Sequence, residues 1–224
     1  MVKDEKLFGI ERSNISTQKD KFNLNMIKMD EEKRTVLIHS CCGPCSTACI
    51  ERLITNYDVT VFYYNPNITD RDEYEKRKES QIKFIDEYNK KLENDKVKYI
   101  EGEYIVQDYF DFVNGLENEK EGGLRCNKCF ELRLLRTAKV AKELNFSYFS
   151  TTLTVSPHKN SPLISSIGNM IGEELGVDYL DIDFKKKNGY LRSIELAKEY
   201  GLYRQNYCGC EFSKWFLDVR KSNR

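Results

Sequence analysis

Residues 35–49 read TVLIHSCCGPCSTAC. A short β-branched and apolar run, Thr35 to Ser40, stops abruptly at Cys41-Cys42-Gly43-Pro44-Cys45, the pattern of a buried strand delivered into a tight turn. Beyond the turn, Ala48, Ile50, Leu53 and Ile54 recur at helical spacing, and DVTVFYYN at 58–65 reads as a second buried strand. Strand, helix and strand in that order form a βαβ unit, the building block of a parallel sheet.

The same alternation continues outward. Asn65-Pro66-Asn67 halts the second strand, residues 68–91 carry a charged amphipathic helix with Ile82, Phe84 and Ile85 as apolar contacts, and 96–102 is a weaker third strand. Residues 103–116 and 126–145 are helical in pattern and are separated by Gly122-Gly123. FSYFSTTL (146–153) is the fourth strand, followed by the polar loop Ser156-Pro157-His158-Lys159-Asn160, a helix through Ile171, and a fifth strand at 177–183. This order predicts a single Rossmann-like α/β domain with a mainly parallel sheet and helices on both faces. Residues 1–34, polar and lysine-rich, read as an N-terminal extension, with the domain spanning 35–224. Ligands of such sheets sit beyond the carboxyl ends of the strands. Cys41, Cys42, Asn65, Thr151, Thr152 and Asp183 are therefore expected to converge on one crevice.

Lys plus Arg equals Asp plus Glu at 36 each, so the 224-residue chain lacks the overall positive field of a dedicated nucleic-acid binder; a local basic patch remains open. The first residues, MVKDEKLFGIERSN, do not resemble a secretory signal, and no apolar run approaches the roughly 18 residues of a membrane span. The expectation is a cytoplasmic protein with no membrane partner. In reducing cytosol, eight cysteines point to metal binding or redox chemistry rather than structural disulfides.

The cysteines fall into groups. Cys49 stands inside an apolar helical pattern and reads as core packing. Cys126 and Cys129 form a CxxC at a helix start, where backbone amides and the helix dipole favour thiolate. Cys41 and Cys42 leave one strand end in different directions, and with Cys126 and Cys129 they supply four thiolates. Spacing alone leaves two occupants for that set, a [4Fe-4S] cluster or a structural zinc. Cys208-Gly209-Cys210 can bind metal or close a strained, reducible disulfide.

HSCCGPCS at 39–46, YNPNI at 64–68, RCNKCFELRL at 125–134, STTLTVSPHKN at 150–160, DF at 183–184 and YRQNYCGCEFS at 203–213 together resemble the cobalamin-independent epoxyqueuosine reductases, the QueH family. The resemblance implies reduction of the cyclopentane epoxide of epoxyqueuosine to queuosine at the wobble position of tRNAs with a GUN anticodon, the last step of queuosine synthesis. Carried over by motif, it places a [4Fe-4S] cluster on Cys41, Cys42, Cys126 and Cys129 and a redox-active pair at Cys208 and Cys210. It also implies an additional mononuclear iron, for which Cys45, Cys208, Cys210 or an aspartate could serve as ligand, and an electron donor it does not identify. Asp183 joins the two cysteines as a catalytic group. Tyr64, Asn65, Arg125, Ser156, Lys159, Tyr203, Arg204 and Gln205 are the expected substrate contacts.

Opening an epoxide to an alkene takes two electrons and protonation of the departing oxygen, for which Asp183, His158, Tyr203 and Tyr207 are the candidate acids. An aspartate there equally caps the next turn, and His158 equally faces solvent beside Pro157. Phosphate contact falls to Arg125, Lys128, Arg133, Arg136, Lys139, Lys159 and Arg204, although a solvated helix face explains Arg136 and Lys139 as well. Tyr64, Tyr203 and Tyr207 are candidates for stacking on the wobble base. Two other functions compete. An ATP-dependent tRNA-thiolating enzyme needs a glycine-rich phosphate loop after strand one, where this chain has a lone glycine. A zinc-stabilised RNA-binding module would use the same cysteines without catalysis.

Overall fold

The computed structural model describes residues 34–215. Apart from Arg34, the extension read over 1–34 lies outside the described residues, as do residues 216–224.

Strand β1 (Arg34–Ser40) occupies the middle of a five-stranded sheet, paired in parallel with β2 (Tyr57–Tyr63) on one side and β4 (Tyr148–Thr151) on the other. Outside these lie β3 (Lys98–Glu101) and β5 (Asp178–Tyr179), giving the order β3-β2-β1-β4-β5 with every pairing parallel. Strand β1 can sit at the centre because its residues from Val36 onward are buried on both faces, the continuous apolar signature of a strand covered by helices twice. Val36 and Ile38 enter one core with Ile50 and Leu53 of α1 (Gly43–Leu53) and Phe84 of α2 (Arg71–Lys90). Leu37 points the other way, into a core with Leu134 of α4 (Leu124–Glu143) and Ile164 of α5 (Ser161–Leu175). The sheet therefore carries helices on both faces, as the alternation predicts.

Four elements depart locally from the sequence reading. Helix α6 (Gly189–Glu199), which the sequence reading does not include, packs Leu196 and Ala197 onto the α1 side of the core. The fifth strand pairs only at Asp178–Tyr179, because hydroxyls take over where the ladder stops: Ser150 Oγ donates to Leu180 O (2.9 Å) and Thr154 Oγ1 to Ile182 O (2.8 Å). The fourth strand ends at Thr151, whose hydroxyl caps a 3₁₀ turn over Thr152–Val155. A short helix, α3 (Val106–Phe112), covers only the centre of its predicted span. Among the described residues no helix is long and apolar enough to cross a membrane.

The chain runs from β1 outward to β2 and β3, then returns to place β4 on the opposite side of β1. The topological switch therefore lies between β1 and β4, and the crevice beyond their carboxyl ends is where this architecture binds ligands. Cys41 and Cys42 follow β1 directly.

Candidate functional site

Cys42 is the N-cap of α1, and Pro44 lies in the helix's first turn, where its missing N–H costs no hydrogen bond. The helix start thus gathers Cys41, Cys42 and Cys45, whose sulfurs all lie within 4.8 Å of one another. Cys41 and Cys42 are buried and their sulfurs stand 3.9 Å apart. Hydrogen bonds from Cys42 and then Cys45 hold the Cys41 thiol well below the usual thiol range, against the opposing effect of burial, while Cys45 is pushed up to about 12. The three sulfurs thus stand at a helix N-terminus, whose dipole favours thiolate. Gln205 Nε2 donates to Cys42 Sγ at 3.0 Å, so the C-terminal segment folds back onto the end of β1.

Cys126 and Cys129 occupy the first turns of α4, and the Gly122 N–H points at Cys126 Sγ (3.2 Å). With Cys208 and Cys210 they line a cavity of about 20 Å³, the size of one water-sized sphere. Burial pushes the Cys129 thiol up to about 12 and Cys210 to about 11. The structure thus brings Cys126 and Cys129 together with Cys208 and Cys210, and Cys41 and Cys42 together with Cys45. Among the described residues this triad is the sole set of three or more ligand atoms within 4.8 Å. The expected quartet of Cys41, Cys42, Cys126 and Cys129 does not stand assembled in that sense. Arg133 connects the two groups electrostatically: Cys129, Cys208 and Cys41 all act on it. Cys49 packs in the core, its Sγ donating to Cys45 O (3.3 Å).

Several expected contacts have other surroundings. Arg125 is 1% exposed, and its Nη1 donates to the carbonyls of Leu116 (3.2 Å), Glu117 (2.8 Å) and Glu119, so it pins the loop before α4 instead of meeting phosphate. Tyr64 is buried and lies flat on Phe62 (5.9 Å between centroids), leaving no free face for a base. Asn65 Nδ2 bridges to Ser40 O (2.8 Å), tying the ends of β1 and β2 together. Asp183 Oδ1 accepts from Lys185 N (3.1 Å) and caps its turn. Ser156 Oγ caps the exposed His158 N–H (3.3 Å). Lys159, half-buried, is acted on by Cys208, Cys41 and Cys45. Tyr203 and Arg204 are exposed.

The glycine of the first turn has a packing duty. A Cβ on Gly43 would stand 2.5 Å from the Ser80 carbonyl oxygen, so its bareness serves the approach of α1 to α2 rather than a phosphate cradle. That removes the feature an ATP-dependent thiolating enzyme would need.

Residues 36–215 match the family described as Epoxyqueuosine reductase QueH. A Streptococcus pyogenes serotype M1 protein named epoxyqueuosine reductase QueH is 46% identical over 179 residues, covering 80% of this chain and 70% of that protein. The Staphylococcus epidermidis protein of the same name is 42% identical over 199 residues (87% and 83%). Its Thermotoga maritima namesake is 40% identical over 185 residues (80% and 90%). The chain belongs to the epoxyqueuosine reductase QueH family.

Whether the residues of this QueH-family chain fit the iron-sulfur group that the sequence resemblance implies is tested by the buried charges. Arg77, Arg125 and Arg133 are each 1% exposed, whereas Glu73 is the only buried carboxylate among the described residues. Glu73 pairs with Arg77 (2.7 Å). Arg125 and Arg133 both line the four-cysteine cavity, each hydrogen-bonded only to carbonyls and lying over an aromatic ring, Phe212 and Phe130 respectively, and Arg133 Nη2 has no hydrogen-bond partner. Buried cations need anionic partners. Metal-bound thiolates on the surrounding cysteines would supply them, because ligation deprotonates thiols that burial otherwise keeps neutral. The donor set therefore fits a thiolate-ligated, anionic group.

His39, Glu73, Arg77, Asn67 and Tyr109 join the site without having been singled out from sequence. His39 is fully buried, its Nε2 donating to Tyr64 O (3.1 Å) and its Nδ1 facing Thr151 Oγ1 (3.1 Å); burial, then Arg133, lowers it to about 3, so the ring is neutral. It fastens β1 to β4 at the switch point. The signal for Arg77 was present as the pair Glu73 and Arg77, spaced i,i+4 on the helix face that also buries Tyr74, Gln81 and Phe84.

Proposed function

We propose that this protein reduces the cyclopentane epoxide of epoxyqueuosine at the wobble position of tRNA, giving queuosine. Its relatives are named epoxyqueuosine reductases, Cys41, Cys42 and Cys45 gather at the end of β1, and Cys126, Cys129, Cys208 and Cys210 line one cavity with the buried Arg125 and Arg133. The placement of the cysteines carries the redox part of the reading.

In this reading Cys41, Cys42, Cys126 and Cys129 remain the first choice for a [4Fe-4S] cluster, with Cys45 at hand for an additional iron. Bound there, the cluster supplies one-electron reduction. Cys208 and Cys210 supply the matching two-electron step. Two thiols and the epoxide become a disulfide, an alkene and water: two C–O bonds break, one S–S bond forms, and the thiol protons leave on the oxygen. A low-potential external donor then returns the pair to dithiol. Arg133 and Lys159 hold negative charge on the sulfurs. Tyr203 and Arg204, exposed beside the pair, are placed to meet the tRNA through stacking and a phosphate contact. Asp183 stays a candidate acid, half-buried at the end of its turn.

Incubation of anaerobically prepared protein with epoxyqueuosine-bearing tRNA and a low-potential reductant, followed by nucleoside mass spectrometry, tests the activity; the expected product lacks one oxygen, and an unchanged nucleoside refutes it. Metal analysis tests the cofactor separately. Stoichiometric zinc without iron or sulfide, in protein made with ample iron, would instead leave a zinc-stabilised RNA-binding module.

A further inference from the structure

The Cys208-Gly209-Cys210 turn is held by its backbone. Arg77, buried on α2, donates from Nη1 to Cys208 O (3.0 Å) and from Nη2 to Tyr207 O (3.1 Å), while its Nε donates to Glu73 Oε1 (2.7 Å). The guanidinium also lies over the Tyr207 ring, 5.3 Å from its centroid. Thr69 N donates to Gly209 O (3.2 Å), and Ser213 Oγ accepts from Cys208 N (3.2 Å). The carbonyls of three successive residues are thus each engaged from α2 or the loop before it. On its far side, Glu73 Oε2 accepts from Tyr203 OH (2.8 Å), which is 40% exposed, so a hydrogen-bonded line runs from the surface to Cys208.

A guanidinium is required for this arrangement. Only its planar fork reaches two carbonyls and a carboxylate at once; a lysine ammonium is a single point. Nor does stability explain a buried ion pair here, because an apolar pair of similar volume commonly stabilises a fold as well or better.

We propose that Arg77 is a positioning residue for the Cys208–Cys210 pair: it fixes the backbone of the turn, so that the sulfurs move between reduced and oxidised states by side-chain rotation alone. This rests on the reading of that pair as redox-active in epoxide reduction. Glu73 orients the guanidinium, and Tyr203 links the exposed mouth of the crevice to it.

The test compares the iron-loaded, reduced wild type with Arg77→Lys by a pulse of iodoacetamide and per-cysteine mass spectrometry, alongside steady-state turnover. Arg77→Lys is expected to label Cys208 and Cys210 about tenfold faster through local opening of the turn. Cys126, Cys129, iron and sulfide stay at wild-type levels, and kcat falls with KM unchanged. The double variant Glu73→Gln/Arg77→Gln, free of buried charge, is expected to show the same pattern and serves if Arg77→Lys does not fold. Wild-type labelling and wild-type kcat in the variant overturn the proposal. So does acceleration at every cysteine with loss of iron in both variants, which marks a purely structural role. Should the wild type fail to reduce epoxyqueuosine, the functional reading falls, while the labelling ratio at Cys208 and Cys210 still decides for or against Arg77.

Discussion

Gln205 and Cys42 lie 163 positions apart in sequence, yet Gln205 Nε2 donates to Cys42 Sγ at 3.0 Å. Hydrogen bonds to a ligating sulfur set both its orientation and the potential of the group it holds, and losing such a partner costs about 10–100-fold in metal affinity or activity. Gln205→Leu is therefore expected to lower iron retention or turnover by a factor in that range. Gln205→Glu is expected to do worse, because it turns an acceptor toward an anionic sulfur. Iron content after gel filtration and turnover measure this; two variants indistinguishable from wild type would refute it.

At Gly209 the backbone has φ +126°, a conformation that side chains rarely adopt. An added Cβ would meet Ile68 Cγ1 at 2.9 Å and Arg77 Nη1 at 3.3 Å. Gly209→Ala should thus cost about 1–3 kcal/mol locally and displace the turn that carries both cysteines. Loss of turnover with the visible absorption of the iron-bound protein retained is the expected result. Full activity would show that the turn tolerates another path.

The alternation of strands and helices was legible because β1 and β2 are apolar and β-branched runs flanked by turn residues, and β4 is a short aromatic run entering Ser150-Thr151; the order of the strands in the sheet comes from the fold. Helix α6 was missed because GYLRSIELAKE buries little besides Ser193, Leu196 and Ala197, too narrow a stripe to announce itself. In the site, cysteine spacing pointed to metal and redox chemistry, whereas partnership did not follow from it. Whether Cys126 faces Cys41 or Cys208 depends on how the C-terminal segment returns across the sheet. Charged residues misled most. Arg125 reads as phosphate-facing and Glu73 gives no signal of its own, because burial of a charge depends on partners distant in sequence, such as Tyr203 OH on Glu73.

Asp70 starts the helix that carries Glu73 and Arg77. Its Oδ1 accepts from Asp72 N (3.1 Å) and Glu73 N (3.3 Å), and its Oδ2 from Lys214 Nζ (2.9 Å). The Lys214 hydrogen bond and then the Glu73 N–H hold its carboxyl below the ordinary carboxylate range. A folded-state pKa lowered below the unfolded value of about 3.9 contributes stability that is fully present above that value and is lost as pH falls below it and through the lower folded-state value. Asp70→Ala is accordingly expected to cost about 0.5–2 kcal/mol, the loss of an N-cap, by the same amount at pH 8 and pH 5. Urea unfolding at both pH values checks this; a cost that shrinks between them contradicts the assignment.

Arg133 carries the buried charge that the cysteines most directly answer. It is 1% exposed, its Nε is spent on Cys129 O of its own helix (3.0 Å), and its Nη2 has no hydrogen-bond partner within a cavity lined by Cys126, Cys129, Cys208 and Cys210. Reduction adds negative charge to whatever those sulfurs hold, and a nearby cation favours the more negative state. Arg133→Met removes that cation while keeping a long apolar stem, so the midpoint potential is expected to move in the negative direction and iron to be held less tightly. Arg133→Lys keeps the charge and loses only the fork, so its midpoint should lie between the two. Anaerobic redox titration followed by visible absorption measures the order of the three proteins. A Met variant with the wild-type midpoint and full iron would mean that the guanidinium is balanced by something other than the thiolates.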